Sequence, residues 1–142
     1  MHSAKVAIAS TALSLWAFSA GAVTVTPTDA MGQVGHTAKV CGVVASAVYE
    51  ANSRAHPTFL TLLNADHPDA GRAMTAVIYG TDRAKFGTPE AALQGQRLCV
   101  TGFVSFFRQR PEMILSDPRQ LSFVAPQSVA ELRERYSVAR GA

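Results

Sequence analysis

Few side chains in this sequence of 142 residues have the types and spacing that catalysis requires. His36, His56 and His67 lie in separate predicted loops, and none is spaced from another as metal ligands are. Asp66 and Asp69 flank a proline and are typical of turns. No serine, threonine or cysteine lies in a recognisable nucleophile turn, and no glycine-rich phosphate loop opens a helix. We therefore predict a protein that is not an enzyme, with no catalytic residue, no metal site and no cofactor.

The arginines are better suited to binding than to catalysis. Nearly all cations after residue 22 are arginines, which form forked contacts with phosphate or carboxylate and equally stack or pair on surfaces. Arg54 lies in one predicted loop, and Arg108 and Arg110 lie at the tip of a predicted hairpin. These loops bracket a predicted strand that carries Phe59, and Tyr79 ends the next strand. Aromatic side chains flanked by cations are the combination that binds single-stranded nucleic acid.

The strand that carries Phe59 has a two-residue alternation. If Leu60 and Leu62 face the core, Phe59 and Thr61 face outwards and become candidates for contacts with a ligand. Each aromatic candidate also has a structural alternative. Phe59 could instead pack beneath a loop or a terminal helix, and Tyr79 could contribute to packing alone.

Five segments rich in β-branched and aromatic residues are predicted strands that must position these side chains. Gly42 and Gly102 interrupt the first and the fourth strand, which indicates strands that bend sharply. A short helical connection at residues 81–93 separates the third strand from the fourth. This order predicts an all-β fold, a five-stranded Greek-key barrel of the OB type. The strands are predicted at residues 37–49, 58–63, 73–79, 98–107 and 113–115.

Both ends of the chain carry segments outside the predicted barrel, which spans residues 35–125. Residues 1–22 have one lysine, an apolar run and a small-residue end, the pattern of a secretory signal peptide. The alternative is an uncleaved membrane anchor, although serine and threonine interrupt the run. Residues 23–34 are predicted as an N-terminal arm with a helical turn near Ala30. Residues 126–142 are predicted as a C-terminal helix that docks on the core or, alternatively, on a partner.

A signal peptide implies a periplasmic or secreted protein that has no membrane contact after cleavage. In such an oxidising compartment Cys41 and Cys99 are expected to form a disulfide, and two buried free thiols are the alternative. Both cysteines lie within predicted strands, and the first and fourth strands of the OB topology are antiparallel neighbours. The two side chains would then face each other across one ladder.

Four stretches of the sequence together resemble a known family: VCGVV, PTFLTL, AVIYGTDRAKFG and CVTGFVSFFRQRPEMILSDPRQL. They are similar to small exported bacterial OB-fold proteins related to the nucleic-acid-binding OB domains of the tRNA-anticodon type. The similarity covers residues 35–123, most of the chain after the signal peptide. It implies the same five-stranded barrel. It also implies that Phe59, which matches a base-stacking phenylalanine of the anticodon-binding relatives, stacks on a base.

The chain departs from the family pattern at two places. Tyr79 replaces the usual tryptophan at the end of the third strand and keeps an aromatic ring there. Gln109 and Arg110 precede Pro111 at the hairpin tip, where relatives tend to have a glycine before the proline. Because residues other than glycine rarely adopt positive φ, this tip is expected to lack left-handed residues, and it gains a charge.

The small net positive charge is weak evidence for a nucleic-acid ligand. Without Lys5, 12 of the 13 Lys and Arg residues remain against 10 Asp and Glu, and a dedicated nucleic-acid binder usually has a stronger basic bias. We predict binding of single-stranded nucleic acid or a similar polyanion with low sequence specificity. The alternatives are a periplasmic module that docks a protein partner and a binder of a small molecule or an oligosaccharide.

Overall fold

The structure is a computed structural model that describes residues 21–68 and 72–124. Most of the predicted signal peptide and the whole predicted C-terminal helix at 126–142 lie outside the described residues. Within the described part of the chain, no helix is both long and apolar enough to cross a membrane.

In the described part of the chain, seven strands form one sheet, and five of them close into a barrel. The barrel order is β2–β3–β4–β6–β5, and β5 pairs again with β2 to complete the circle. All neighbours in the barrel are antiparallel except β4 and β6, which are parallel. This is the OB-fold, which confirms the predicted fold class. The strands are β1 Val23–Val25, β2 Thr37–Tyr49, β3 Thr58–Leu63, β4 Met74–Ile78, β5 Arg97–Phe107, β6 Arg110–Ile114 and β7 Leu121–Phe123.

Short helices fill the connection between β4 and β5, as the sequence predicts. Helix α1 spans Gly80–Arg83 and α2 spans Pro89–Ala92, with a 3-10 turn at Ala84–Phe86 between them. Leu93, directly after α2, is buried in the core. The connection therefore covers one end of the barrel.

The interior of the barrel is filled by alternate residues of its strands. Leu60 and Leu62 are fully buried in the core, together with Val40, Val100 and Met113. Because successive side chains of a strand point to opposite faces, Phe59 and Thr61, which alternate with the two leucines, point away from the core. The predicted alternation of β3 is thus confirmed.

The predicted disulfide joins the two strands that close the barrel. Cys41 in β2 lies directly opposite Cys99 in β5, and the two sulfurs are bonded. The sequence separation of 58 residues means that the bond encloses β3 and β4. The prediction that the only two cysteines face each other across one ladder is confirmed.

The segment at residues 23–34 packs on the barrel, whereas the sequence suggests an arm. Strand β1 pairs in parallel with β2, and a 3-10 helix follows at Pro27–Gln33 around the fully buried Ala30. Pro27 occupies the space beside Gly42, where a Cβ would come within 2.8 Å of the proline Cγ and would overlap the Leu63 carbonyl oxygen. Because Gly42 has no side chain, the 3-10 helix can pack closely against β2 at this position.

The turn after β6 is held by a reciprocal cap. The Asp117 carboxylate accepts a hydrogen bond from the backbone N–H of Arg119, and Gln120 Oε1 accepts from the N–H of Asp117. Hydrogen bonds from Arg119 hold the pKa of the Asp117 carboxyl at about 2. Gln120 Nε2 donates to the Thr101 carbonyl, next to Gly102, where β5 has no Cβ to obstruct it. The cap thereby leads the chain into β7 beside β5.

Candidate functional site

A groove of about 620 Å³ crosses the outer face of β3 and β4. The loop between β2 and β3 forms one wall, and the hairpin between β5 and β6 forms the other. We call this concavity the main groove. All six residues that the sequence analysis proposes for binding line it, while their role as binding residues stays a prediction. They are Arg54, Phe59, Thr61, Tyr79, Arg108 and Arg110.

The floor of the main groove has an apolar row beside a polar row. Phe59 lies opposite Val77 across the ladder between β3 and β4. Two residues further along β3, Thr61 lies opposite Thr75 of β4. Thr75 also pairs with Glu112 of β6. A planar ring can lie on the apolar row while the hydroxyls beside it donate or accept hydrogen bonds.

The wall that carries Arg54 is a closed and anchored loop. The Glu50 N–H donates to the Pro57 carbonyl at 2.9 Å, which closes the loop at its base. The Gly80 N–H donates to the Ala55 carbonyl at 2.9 Å and ties the loop to the start of α1. These bonds hold the backbone of Arg54 beside the floor before any ligand arrives.

The opposite wall ends in a two-residue turn at Arg108 and Gln109. Their φ angles are 49° and 65°, so the expectation of a tip without left-handed residues is wrong. Two-residue hairpins favour type I′ and type II′ turns, which match the twist of the paired strands, and type I′ has positive φ at both central positions. The pairing of Phe107 with Arg110 imposes the turn in spite of the residue types. The Arg108 guanidinium carbon lies 5.3 Å from the Phe107 ring centroid, a cation–π contact.

Strand β6 begins at Arg110, three residues before its predicted start. Pro111 pairs with Phe106 of β5, but the pairing of β6 with β4 begins only at Glu112. On the side that faces β4, Pro111 therefore has no strand partner that would require the backbone N–H that proline lacks. The early start brings Arg110 and Glu112 into the wall and floor of the main groove.

Seven other residues that line the main groove were not among the candidates predicted from the sequence, and two of them, Phe107 and Glu112, add an aromatic ring and a carboxyl group. The alternation of inward and outward side chains along a strand could have identified Phe107 and Glu112. Val104 and Met113 are fully buried, and the other two lie an odd number of residues from them, so they face outwards. Burial raises the pKa of the Glu112 carboxyl. Among the described residues that line it, the main groove thus combines three arginines with a single acidic side chain.

The cations of the short helices are engaged elsewhere. The Arg83 guanidinium lies 3.9 Å from the Tyr49 ring centroid and forms an ion pair with Glu90. Lys85 pairs with Asp82 at 2.8 Å. Neither cation lines the main groove.

The arginines of the main groove differ from those cations in their partners. Over residues 21–68 and 72–124, the ion pairs are Arg83–Glu90, Lys85–Asp82 and Arg119–Asp117, so none involves an arginine of the groove.

No family model matches this sequence, and no curated protein matches it. Solved structures are nevertheless similar in shape. A chain in the crystal structure of yeast Stn1 and Ten1 has a TM-score of 0.52 and 13% identity, covering 88% of this chain and 76% of its own length. Asparaginyl-tRNA synthetase of Entamoeba histolytica has a TM-score of 0.50 and 15% identity. That match covers 84% of this chain but 30% of the synthetase. At these identities the similarity supports the OB-fold and nothing finer.

Proposed function

We propose that this chain is an exported binding protein, without catalytic activity, whose main groove binds single-stranded nucleic acid or a similar polyanion. The observation that supports the proposal most strongly is that Phe59 and three arginines, from the two opposite walls, line the same groove. One of the structures that share the fold, the asparaginyl-tRNA synthetase, acts by its name on a nucleic acid.

The two kinds of side chain have separate tasks in this proposal. Arg54 on one wall, and Arg108 and Arg110 on the other, pair with successive phosphates of a strand that crosses the floor. Phe59 and Tyr79 stack on bases. Stacking accepts every base because each has a π-face, so binding has low sequence specificity.

A salt titration tests the proposal directly. We expect a fluorescently labelled thymidine oligomer of about 4 nucleotides, the lower end of the range for one OB-fold, to bind at low salt. Three phosphate contacts predict that the logarithm of the association constant falls with the logarithm of salt concentration with a slope of about −2. Fluorescence anisotropy at several salt concentrations measures this slope.

Charge variants make this test specific for the main groove. Changing Arg54, Arg108 and Arg110 together to alanine is expected to bring the slope close to zero. Arg97→Ala removes an exposed arginine that does not line the groove, and it should leave the slope unchanged. Absence of binding by the native protein, or binding that ignores salt, would contradict the proposal.

Export is part of the same proposal, supported by the disulfide between Cys41 and Cys99, which persists in oxidising compartments. We expect the mature protein to begin after Ala22. Amino-terminal sequencing of the protein recovered from the periplasm or the medium measures this, and an intact Met1 would contradict cleavage.

A protein-docking module is the second candidate, favoured by aromatic side chains on the outside of the fold. Phe103, Phe106 and Phe107 of β5 are each more than half exposed. This candidate predicts a partner that remains bound after nuclease treatment and at high salt. The salt titration separates the two candidates, because a protein interface built on these rings would depend little on ionic strength.

A further inference from the structure

A second, smaller concavity lies behind the hairpin that walls the main groove. Its volume is about 240 Å³, and we call it the side pocket. Arg110 and Pro111 line both concavities, so the start of β6 is their common wall. The other face of the side pocket comes from Thr28 and Met31 of the N-terminal 3-10 helix. The two concavities are thus neighbours that share one arginine.

The 3-10 helix is a firm wall for the side pocket. Its Pro27 is buried against the strand at Gly42, and the Thr28 N–H donates to Asn64 Oδ1 at 3.1 Å. Ala30 is fully buried in the core. A ligand entering the side pocket would therefore meet a surface that is already in place, which reduces the entropy cost of binding.

The chemistry of the side pocket suits one nucleotide. Arg72 lies on its rim and Arg110 on the shared wall, and none of the described residues that line it is acidic. Met31 is 46% exposed and offers a polarisable surface that packs favourably on an aromatic ring. The pocket thus presents cations for a phosphate beside an apolar face for a base.

We propose that the side pocket is a second nucleotide subsite, which receives the continuation of the strand bound in the main groove. Arg72 pairs with a phosphate there, and Met31 contacts the base. The proposal rests on the function proposed above. It adds a footprint that continues past the hairpin, so that affinity depends on the length of the strand.

The strand has to pass Arg110 to reach the side pocket, because that arginine borders both concavities. One guanidinium with several donors can bind the phosphate that lies between the two sites. An oligomer too short to pass Arg110 would fill the main groove alone. Length dependence is therefore the property that distinguishes the side pocket from an isolated anion site.

The experiment compares thymidine oligomers of about 4 and about 12 nucleotides, both within the range expected for one OB-fold. Arg72→Ala is expected to weaken binding of the longer oligomer about tenfold at low salt, the loss of one charge-assisted contact. It should also reduce the salt slope for that oligomer by about 0.7. Binding of the shorter oligomer should not change.

Three variants complete the experiment. Arg72→Lys keeps the charge and should restore most of the salt slope, whereas Met31→Ala should weaken the longer oligomer without changing its slope. Arg97→Ala, outside both concavities, should change neither oligomer. If Arg72→Ala affects both oligomers equally, or affects neither, the side pocket is not a subsite although the main groove binds. If the native protein binds neither oligomer, the proposed function fails together with this inference.

Discussion

A Cys41→Ala, Cys99→Ala double variant is expected to lose about 4 kcal/mol of the free energy of unfolding. The disulfide closes a loop of 58 residues, and removing it restores that loop's freedom in the unfolded chain. The bond also lies in the ladder between β2 and β5, the pairing that closes the barrel. Urea denaturation followed by circular dichroism measures the change. A loss of this size is a large fraction of the free energy of unfolding of a small domain, so the melting temperature of the variant should fall as well.

Two controls separate the bond from other effects of the substitutions. Ser122 lies next to Cys99 on the same row of the sheet, and Ser122→Ala should change the free energy of unfolding by less than about 0.5 kcal/mol. Native protein treated with a thiol reductant should match the double variant. A loss below about 1 kcal/mol in both samples would show that the barrel closes without the bond.

Much of the barrel could be predicted because its signals are local and agree with each other. The alternation around Leu60 and Leu62 assigns the two faces of β3, and Gly42 marks a place where β2 meets other chain segments closely. The cysteines supplied a long-range constraint, since only a topology that makes the first and fourth strands neighbours brings them together. Consistency between local pattern and topology is the mark of a sequence that specifies one fold.

The elements that were missed depend on pairing between distant segments. Strand β1 has three residues, too few for a periodic pattern, and its pairing with β2 follows from the burial of neighbours such as Ala30. The turn at Arg108 and Gln109 adopts positive φ because the strands on both sides impose it. Single-residue preferences of about 1 kcal/mol are overridden by a whole paired hairpin.

Six residues that line the main groove were indicated by the sequence, but the shape of the groove was not. Arg54 and Arg108 are far apart in sequence, and only the closed barrel brings their loops to opposite walls of one groove. The acidic Glu112 entered the groove because β6 begins earlier than its apolar run suggests. Because the tip of the hairpin was predicted as a loop, the alternation that directs its side chains towards the groove could not be assigned.

Phe59→Ala is expected to weaken binding of a thymidine oligomer about ten- to a hundredfold, since one stacked base contributes about 1–3 kcal/mol. The ring lies on the floor of the main groove, opposite Val77, where a base between the two arginine walls would rest. Phe59→Tyr should keep most of the affinity, because it keeps the aromatic face. Fluorescence anisotropy at one low salt concentration measures all three proteins.

If Phe59 only packs against its neighbours and does not stack on a base, different results are expected. A packing residue changed to leucine keeps most of its buried apolar surface, so Phe59→Leu should then preserve both stability and binding. A stacking residue changed to leucine loses its π-face, so affinity should fall while the melting temperature changes little. Phe103→Ala is the matched control, since that ring is 58% exposed and lies outside the main groove. If Phe59→Leu and Phe103→Ala both bind as the native protein does, base stacking on Phe59 is excluded.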